Sequence, residues 1–314
     1  MPTHPIAGEN LPDPRRIGGN RLRTVRFAIT MQQRRSAKPR SRKAGDGAPG
    51  ITEREVEDVE ARSSPRTPVI YEIVARLGEE EMSRPVTSLV WSGVAAGLSI
   101  SFSVLAQAIL EARLPDAGWR PLVSSFGYSV GFLMAVLSRQ QLFTENTVTA
   151  ILPVMNRMTI GKVLNLGRLW GVVLAANLVG TLVAALFCTW NPALASTFYA
   201  PMLSISSHLL SHGWSEMFFG GITAGFLMAA MVWMIPSADA AQFFVVTLMT
   251  YLIAAGGFPH IVAGSVEGFM LVLHHDAGVL WLVRDFFLPV LAGNIVGGTV
   301  LFGLISYAQV MKEI

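Results

Sequence analysis

The chain has 314 residues, of which 52% are hydrophobic and only 14% are charged. Because soluble domains carry about 25% charged residues, this composition excludes an ordinary water-soluble fold for most of the chain. The first 86 residues hold 16 of the 24 Lys and Arg residues and 12 of the 21 Asp and Glu residues, so the net charge of +3 arises there.

Residues 1–66 are predicted to be a basic, disordered cytoplasmic tail. Residues 1–50 alone carry 11 Lys and Arg against 3 Asp and Glu, with few large apolar side chains to bury. We expect a tail beside the membrane and not a nucleic-acid-binding surface, since the basic residues lack a pattern of interleaved aromatic residues.

Residues 67–82 are predicted to form an amphipathic helix at the membrane interface. Thr67 is a suitable N-cap and Pro68 suits the first helical turn. The apolar residues of this segment fall on one helical face, formed by Val69, Ile70, Ile73, Val74 and Leu77.

Residues 83–314 are predicted to be an all-α transmembrane transport domain with six membrane spans, because its apolar segments reach the roughly 20 residues that a bilayer requires. The predicted spans are 87–110, 121–155, 163–189, 214–235, 241–273 and 286–310. Basic residues lie in the connection near 157–168, whereas residues 190–213 contain no Lys or Arg. This distribution predicts that the connection near 157–168 and both termini are cytoplasmic and that residues 190–213 lie outside.

The second and fifth spans are interrupted by polar or helix-breaking residues, in "QQLFTENTVT" and in "AAGGFPHIVAGS". The segment around Asn177 resembles the segment around Asn294, 117 residues later, and an interrupted span precedes each of them. This spacing predicts two three-helix units, and the odd number of spans per unit makes them an inverted 3+3 repeat. Chance similarity between small-residue packing motifs is the alternative.

The two interruptions point to a functional site, because the second half of a broken helix begins with free N–H groups and a partial positive charge. We expect these half-helices to begin near Thr147 and His260 and to attract a small anion between them. Thr144 adds a hydroxyl donor, and His260 adds a group that exchanges protons near neutral pH. We therefore predict a central site made of Thr144 and His260.

Three further charged residues fall within predicted spans: Arg139, Glu145 and Glu267. Unpaired charges are costly in a membrane, so an ion pair between Arg139 and one of the two carboxylates is expected. A direct part in permeation is the alternative role.

Over about residues 68–310 the sequence resembles the formate/nitrite transporter family. Leu142, Phe143 and Thr144 match the family pattern at the first break, and the second break matches at Gly257, Phe258 and His260. The sequences at Asn177 and Asn294 are similar to those of the third and sixth helices of the family.

The resemblance implies an aquaporin-like fold, a homopentamer in the bacterial inner membrane, and one pore per protomer. It implies that Thr144 and His260 lie between two apolar constrictions. By position, one constriction involves Leu142 and Phe143 with Tyr128 and Phe132 nearby, and the other involves Met228 and Ile253. The expected cargo is a small monovalent anion or weak acid, carried by a channel or a proton-coupled transporter without a cofactor or metal ion.

The chain departs from the family at several polar positions. Gly264 and Gly225 occupy positions where the family usually has asparagine, and the family's vestibule lysine falls near Leu209. Glu145 adds a carboxylate. These departures leave the fold prediction intact but make the identity of the cargo open.

Two other functions remain as alternatives from the sequence. An aquaporin-like channel for a small neutral solute is suggested by a single "NPA" at residues 191–193, and a non-transporting anchor for the basic tail is the other. An enzyme is not expected, because no nucleophile–base pair, phosphate-binding loop or metal-ligand spacing occurs.

Overall fold

The computed structural model describes residues 65–195 and 197–313, which form helices and contain no β-strand. The predicted tail lies outside these residues apart from Pro65 and Arg66. In chain order the helices are α1 (Thr67–Ser83), α2 (Val86–Arg113), α3 (Arg120–Leu137), α4 (Phe143–Thr149), α5 (Ile151–Asn156), α6 (Ile160–Trp190), α7 (Pro192–Ala195), α8 (Tyr199–Ser207), α9 (Trp214–Ala238), α10 (Gln242–Ala255), α11 (Ile261–Leu273) and α12 (Val279–Val310).

Five helical stretches in the described part of the chain are long and apolar enough to cross a bilayer: α2, α3, α6, the stretch from Trp214 to Ala255, and α12. The stretch Trp214–Ala255 is not one straight helix. It is interrupted by a short turn at Asp239–Ala241, where Asp239 has φ +37°, and its two parts, α9 and α10, pack against each other. Helix α11 is apolar but shorter, with 13 residues.

Both predicted interruptions are present in the structure. The segment predicted at 121–155 divides into α3 and the pair α4–α5, and the segment predicted at 241–273 divides into α10 and α11. The predicted spans at 87–110 and 163–189 lie within α2 and α6. Sequence patterns thus locate the broken helices, because long apolar runs with polar interruptions cannot form continuous lipid-exposed helices.

Helix α1 packs against α4, α5 and α9. Its buried residues are Tyr71, Val74, Ala75, Gly78 and Met82, whereas Val69 and Ile73 of the predicted apolar face are exposed and do not pack on protein. Contact of these two residues with the membrane surface stays a prediction.

Tyr71 anchors α1. Its ring contacts Trp233 and Tyr307, and its hydroxyl donates to Asn156 Oδ1 at 2.6 Å. Burial, with smaller contributions from Tyr307 and Glu72, raises the pKa of Tyr71 to about 12. The phenol therefore stays protonated and keeps its donor at physiological pH.

Glycines allow two pairs of long helices to cross closely, α2 with α6 and α9 with α12. A Cβ atom added to Gly97 would lie 2.3 Å from the carbonyl oxygen of Asn177, and one added to Gly225 would lie 2.3 Å from that of Asn294. Small residues at helix crossings are a usual basis of packing in membranes. The absence of an asparagine side chain at position 225 therefore follows from the packing.

We expect Gly225→Ala to destabilise the protein, since the added methyl group meets backbone that has no free space to move into. Overpacking of this kind costs about 1–3 kcal/mol. The unfolding temperature of the detergent-solubilised protein, followed by size-exclusion chromatography after heating, should fall by several degrees.

Gly161→Ala is the matched control, because nothing lies within 4 Å of a Cβ atom at this helical position. Its unfolding temperature should stay unchanged or rise slightly. Equal losses for the two variants would contradict the packing argument.

Candidate functional site

The two helix breaks have the same backbone construction. Four residues before the first residue of each new helix the chain adopts a left-handed conformation, with φ +53° at Arg139 and φ +62° at Gly257. The residue just before the helix is then extended, at Leu142 and at His260. Helices α4 and α11 therefore begin at equivalent points.

An asparagine side chain holds each break. Asn177 on α6 accepts the backbone N–H of Phe143 at 2.9 Å and donates to the carbonyl oxygens of Gly93 and Gln141 at 2.8 and 2.9 Å. Through these bonds a single amide satisfies backbone groups that the broken helix leaves unpaired.

Asn294 on α12 repeats this pattern at the second break. It accepts the N–H of Ile261 at 2.9 Å and donates to the carbonyl oxygens of Gly221 and Pro259 at 2.8 and 3.2 Å. The predicted importance of Asn177 and Asn294 for helix packing thus has a specific basis in the structure, since both side chains are fully buried.

The matched hydrogen bonds correct two details of the sequence interpretation. Helix α4 begins at Phe143 and not near Thr147, because Asn177 binds the Phe143 N–H and the Thr147 hydroxyl donates back to the carbonyl oxygen of Thr144 at 2.7 Å. The structural counterpart of His260 is Leu142, so Thr144 and His260 are not equivalent positions of the two breaks.

Thr144 and His260 nevertheless meet directly. Thr144 Oγ1 lies 2.8 Å from His260 Nε2, and both residues are at least 99% buried. On its other side the ring caps α11, since Nδ1 accepts the N–H of Ala263 at 3.2 Å. A neutral ring bonded in this way carries its proton on Nε2 and donates it to Thr144 Oγ1.

This arrangement leaves the hydroxyl hydrogen of Thr144 without an acceptor, because Thr144 Oγ1 makes no other hydrogen bond to the described residues. The pair therefore offers one hydroxyl donor and one exchangeable imidazole proton at the same place. Such a pair can bind an acceptor oxygen and can exchange a proton with it.

Apolar side chains surround the pair. The Phe132 ring packs edge-on against His260 with centroids 5.1 Å apart, and Tyr128 contacts Phe132. The other residues expected at constrictions, which are Leu142, Phe143, Met228 and Ile253, are also fully buried. Tyr128 and Ile253 line the same cavity. The division of these residues between two constrictions stays a prediction.

A cavity of about 470 Å³, here called the Glu267 cavity, reaches the central pair from one side. Its lining includes His260, Glu267, Tyr128, Ile253 and the loop residue Gly257. Leu209, which takes the place of the expected vestibule lysine, also lines it. His260 is thus both in contact with Thr144 and at the wall of a space that is large enough for a small solute.

The mouth of this cavity carries two histidines, His208 and His212, with ring centroids 4.5 Å apart. Burial, and then the proximity of His212, lowers the pKa of His208. The described residues include no group of three or more metal-ligating side chains.

A second cavity, here called the Glu145 cavity, has a volume of about 190 Å³ and is lined by Arg139, Gln141, Glu145, Glu81 and other residues of α1, α3 and α9. Among the described residues, the buried Glu145 Oε1 has no hydrogen-bond partner.

The expected ion pair between Arg139 and a carboxylate is not formed. Arg139 is exposed and makes no salt bridge to Glu145 or Glu267 among the described residues. Arg139 and Glu145 both line this cavity, whereas Glu267 lines the other one.

Glu81 is a candidate residue that sequence reasoning missed. Its carboxylate accepts from Asn146 Nδ2 at 2.9 Å and from Thr149 Oγ1 at 2.5 Å, and so ties α1 to α4. Burial raises the pKa of Glu81, and the hydrogen bonds from Thr149 and Asn146 oppose this shift. In the sequence Glu81 is the last of three consecutive glutamates, and nothing local distinguishes it from its solvent-facing neighbours.

The "NPA" segment takes no part in the central pair. Asn191 Oδ1 accepts the N–H of Ala193 at 2.9 Å and so starts the short helix α7, where Asn191 follows the end of α6. Asn191 is therefore a local helix cap. In an aquaporin, by contrast, two such motifs each begin a half-helix at a break.

Comparison with known proteins agrees with this geometry. The sequence model described as "Formate/nitrite transporter" matches residues 68–308. The chain is 43% identical to the inner membrane protein YfdC of Escherichia coli (strain K12) over 83% of its own length and 84% of that protein's length. It is 27% identical to the formate channel FocA of Haemophilus influenzae over 70% of its own length and 86% of that protein's length.

Two solved structures share the fold. An "FNT family ion channel" superposes with a TM-score of 0.66 at 22% identity, covering 77% of this chain and 98% of that one. A structure described as "Pentameric formate channel with formate bound" superposes with a TM-score of 0.59 at 20% identity, covering 72% and 98% of the two chains. The match over residues 68–308 and the 43% identity over most of both chains show that this multi-pass inner-membrane protein belongs to the formate/nitrite transporter family.

Proposed function

We propose that the chain is a channel or proton-coupled transporter for small monovalent anions or weak acids, with a pore that passes the Thr144–His260 pair. The observation that carries this proposal is the direct 2.8 Å contact between two buried, proton-bearing side chains at the meeting point of two broken helices. The named relatives that conduct formate support a cargo of this class.

The chemistry of the pair suits an anion that must enter an apolar region and leave it again. The Thr144 hydroxyl donates to an anionic oxygen, and helix α11 directs its N-terminal positive end to the same place. Among the described residues no Lys or Arg lines the cavity at His260, so no fixed cation holds the anion there permanently.

A bare anion meets a barrier beyond this point, because Phe132, Leu142 and Phe143 offer no hydrogen bonds and exclude water. A proton delivered by His260, or from solution through it, converts the anion to a neutral weak acid. We infer that the cargo passes the constrictions in this neutral form.

The inverted 3+3 repeat forms part of this proposal. The asparagine clamps at Asn177 and Asn294, the left-handed residues at Arg139 and Gly257, and the paired glycine crossings support it. We propose six membrane crossings, with α10–α11 as the fifth, and both termini in the cytoplasm, because Lys and Arg in short connections favour the cytoplasmic side.

Assembly as a homopentamer is proposed from the family, since a related solved structure is described as pentameric. Helices α2, α6 and α12 have exposed apolar side chains that lipid or neighbouring protomers would cover. Native mass spectrometry of the detergent-solubilised protein would reveal the number of chains directly.

The proposed tautomer of His260 can be tested by solid-state ¹⁵N spectroscopy of histidine-labelled protein in lipid. We expect the His260 signals to show an unprotonated Nδ1 and a protonated Nε2, identified by their absence in His260→Gln. A ring protonated on Nδ1 would contradict the capping hydrogen bond and the proton direction drawn from it.

The central pair can be tested by flux measurements in proteoliposomes with formate, nitrite, acetate, lactate and ammonium across a pH gradient. Thr144→Val keeps the shape of the side chain but removes its hydroxyl, and Thr144→Ser keeps the hydroxyl. We expect flux in the Val variant to fall about tenfold or more, because losing a buried hydrogen bond costs about 1–3 kcal/mol, while the Ser variant stays near wild type.

We expect the His260→Ala protein to transport far more slowly than wild type and its remaining flux not to depend on pH. A His260→Ala protein that is correctly assembled and indistinguishable from wild type would refute the role of the imidazole. Absence of flux for all five solutes in well-assembled wild-type protein would refute the proposed cargo class.

A further inference from the structure

The Glu267 cavity contains a carboxyl group that the proposed pore does not yet use. Glu267 lies on α11, seven residues after His260, which is about 10 Å further along the helix and on the same face. Its side chain lines the cavity, so the cargo passes it on the way to the central pair.

Glu267 is buried but has no partner. It is 9% exposed, and among the described residues it makes neither a hydrogen bond nor a salt bridge. The residues that line the cavity include no Lys or Arg. Since a purely structural carboxyl group in a membrane domain is normally paired, the free position of Glu267 favours a role towards the cavity.

The other titratable groups of this cavity differ from Glu267 in position or pairing. Glu111 is held by Arg120, with Oε1 and Nε 2.8 Å apart. The remaining titratable groups of the cavity wall are Tyr128, His208, His212 and His260.

The helices that pack against α11 bring further titratable groups, which do not line the cavity. They are Arg113 on α2, Glu145 on α4, Lys162, Arg168 and Cys188 on α6, Tyr199 on α8, and Arg284, Asp285 and Tyr307 on α12. Glu267 is therefore the unpaired carboxyl group of this wall.

We propose that Glu267 delivers a proton to the weak-acid cargo inside the Glu267 cavity, before the cargo reaches Thr144 and His260. This inference rests on the proposed function and, for cargo that enters through the Glu267 cavity, moves the protonation step from His260 to Glu267. The O–H bond of the Glu267 carboxyl group breaks and a new O–H bond forms on the carboxylate of the cargo. Glu267 remains as a carboxylate and regains a proton from water at the mouth of the cavity.

This assignment explains how an anion-conducting pore can contain an unpaired carboxyl group. An ionised Glu267 repels a free anion, whereas a protonated Glu267 donates its proton to it. The carboxylate that remains on Glu267 does not repel the cargo, because the cargo is then a neutral acid. The cavity is thereby selective for acids that accept a proton, in contrast to anions of strong acids.

The test is the pH profile of formate and acetate flux in proteoliposomes that have equal pH on both sides, with full-length protein. Glu267→Gln preserves size but has no exchangeable carboxyl proton. At about pH 7.5, where free acid is scarce, we expect the flux of Glu267→Gln to be about tenfold below that of wild type. At about pH 5 its flux should lie within about twofold of wild type. A merely structural role would lower flux equally at both pH values.

Two further variants sharpen the result. Glu111→Gln removes a carboxylate from the same cavity wall and should keep the wild-type pH profile. Glu267→Asp retains an exchangeable carboxyl group on a shorter side chain, so its flux should be lower while its pH profile follows wild type. The Asp variant also keeps the proposal testable where the Gln variant does not fold.

Four outcomes would overturn the proposal. A Glu267→Gln profile parallel to wild type, or a Glu267→Asp profile with the steep loss expected of the Gln variant, excludes proton delivery by this residue. If wild type conducts methylammonium but no weak acid, and Glu267→Gln loses the methylammonium flux, Glu267 binds a cation and does not donate a proton to an acid. Absence of all weak-acid flux in wild type refutes the proposed function itself, and so is distinguishable from failure of the Glu267 step alone.

Discussion

The structure depends on satisfying backbone hydrogen bonds where two helices stop inside an apolar domain. No water is available there to replace the missing partners, so an unpaired N–H or C=O group costs several kcal/mol. Asn177 and Asn294 meet this need with the same three bonds each. Because each amide also binds the neighbouring long helix, the breaks are rigid parts of the helix packing.

This rigidity is what places Thr144 against His260. The two residues belong to different breaks and are 116 positions apart in sequence, yet their side chains meet at 2.8 Å. The close glycine crossings at Gly97 and Gly225 bring the asparagine-bearing helices near enough to hold both breaks. The chemistry at the centre therefore rests on backbone contacts that carry no function of their own.

Much of the fold was predictable from sequence, since it is written in local patterns. Apolar length located the long helices, polar interruptions located both breaks, and the paired Asn177 and Asn294 motifs indicated equivalent units. What sequence could not supply was register between segments. The start of α4 and the mismatch between Thr144 and His260 depend on which N–H the amide of Asn177 binds.

The charged residues show the same limit. Arg139 and Glu145 are six positions apart, and sequence distance favoured an ion pair, but among the described residues they line one cavity without forming a salt bridge. Glu81 looked like one of three surface glutamates, yet it is the member that faces α4. In both cases the deciding factor is the orientation of one helix against another, which residue types alone do not encode.

The two-residue offset between Thr144 and His260 has a consequence for directionality. The scaffold repeats itself, but the imidazole caps one half-helix while an aliphatic Leu142 stands at the matching point of the other. A solute therefore meets the proton-bearing ring and the hydroxyl in opposite order when it enters from opposite sides. In the proposed pore this order makes the two directions of travel unequal under a driving force, although at equilibrium the fluxes must still balance.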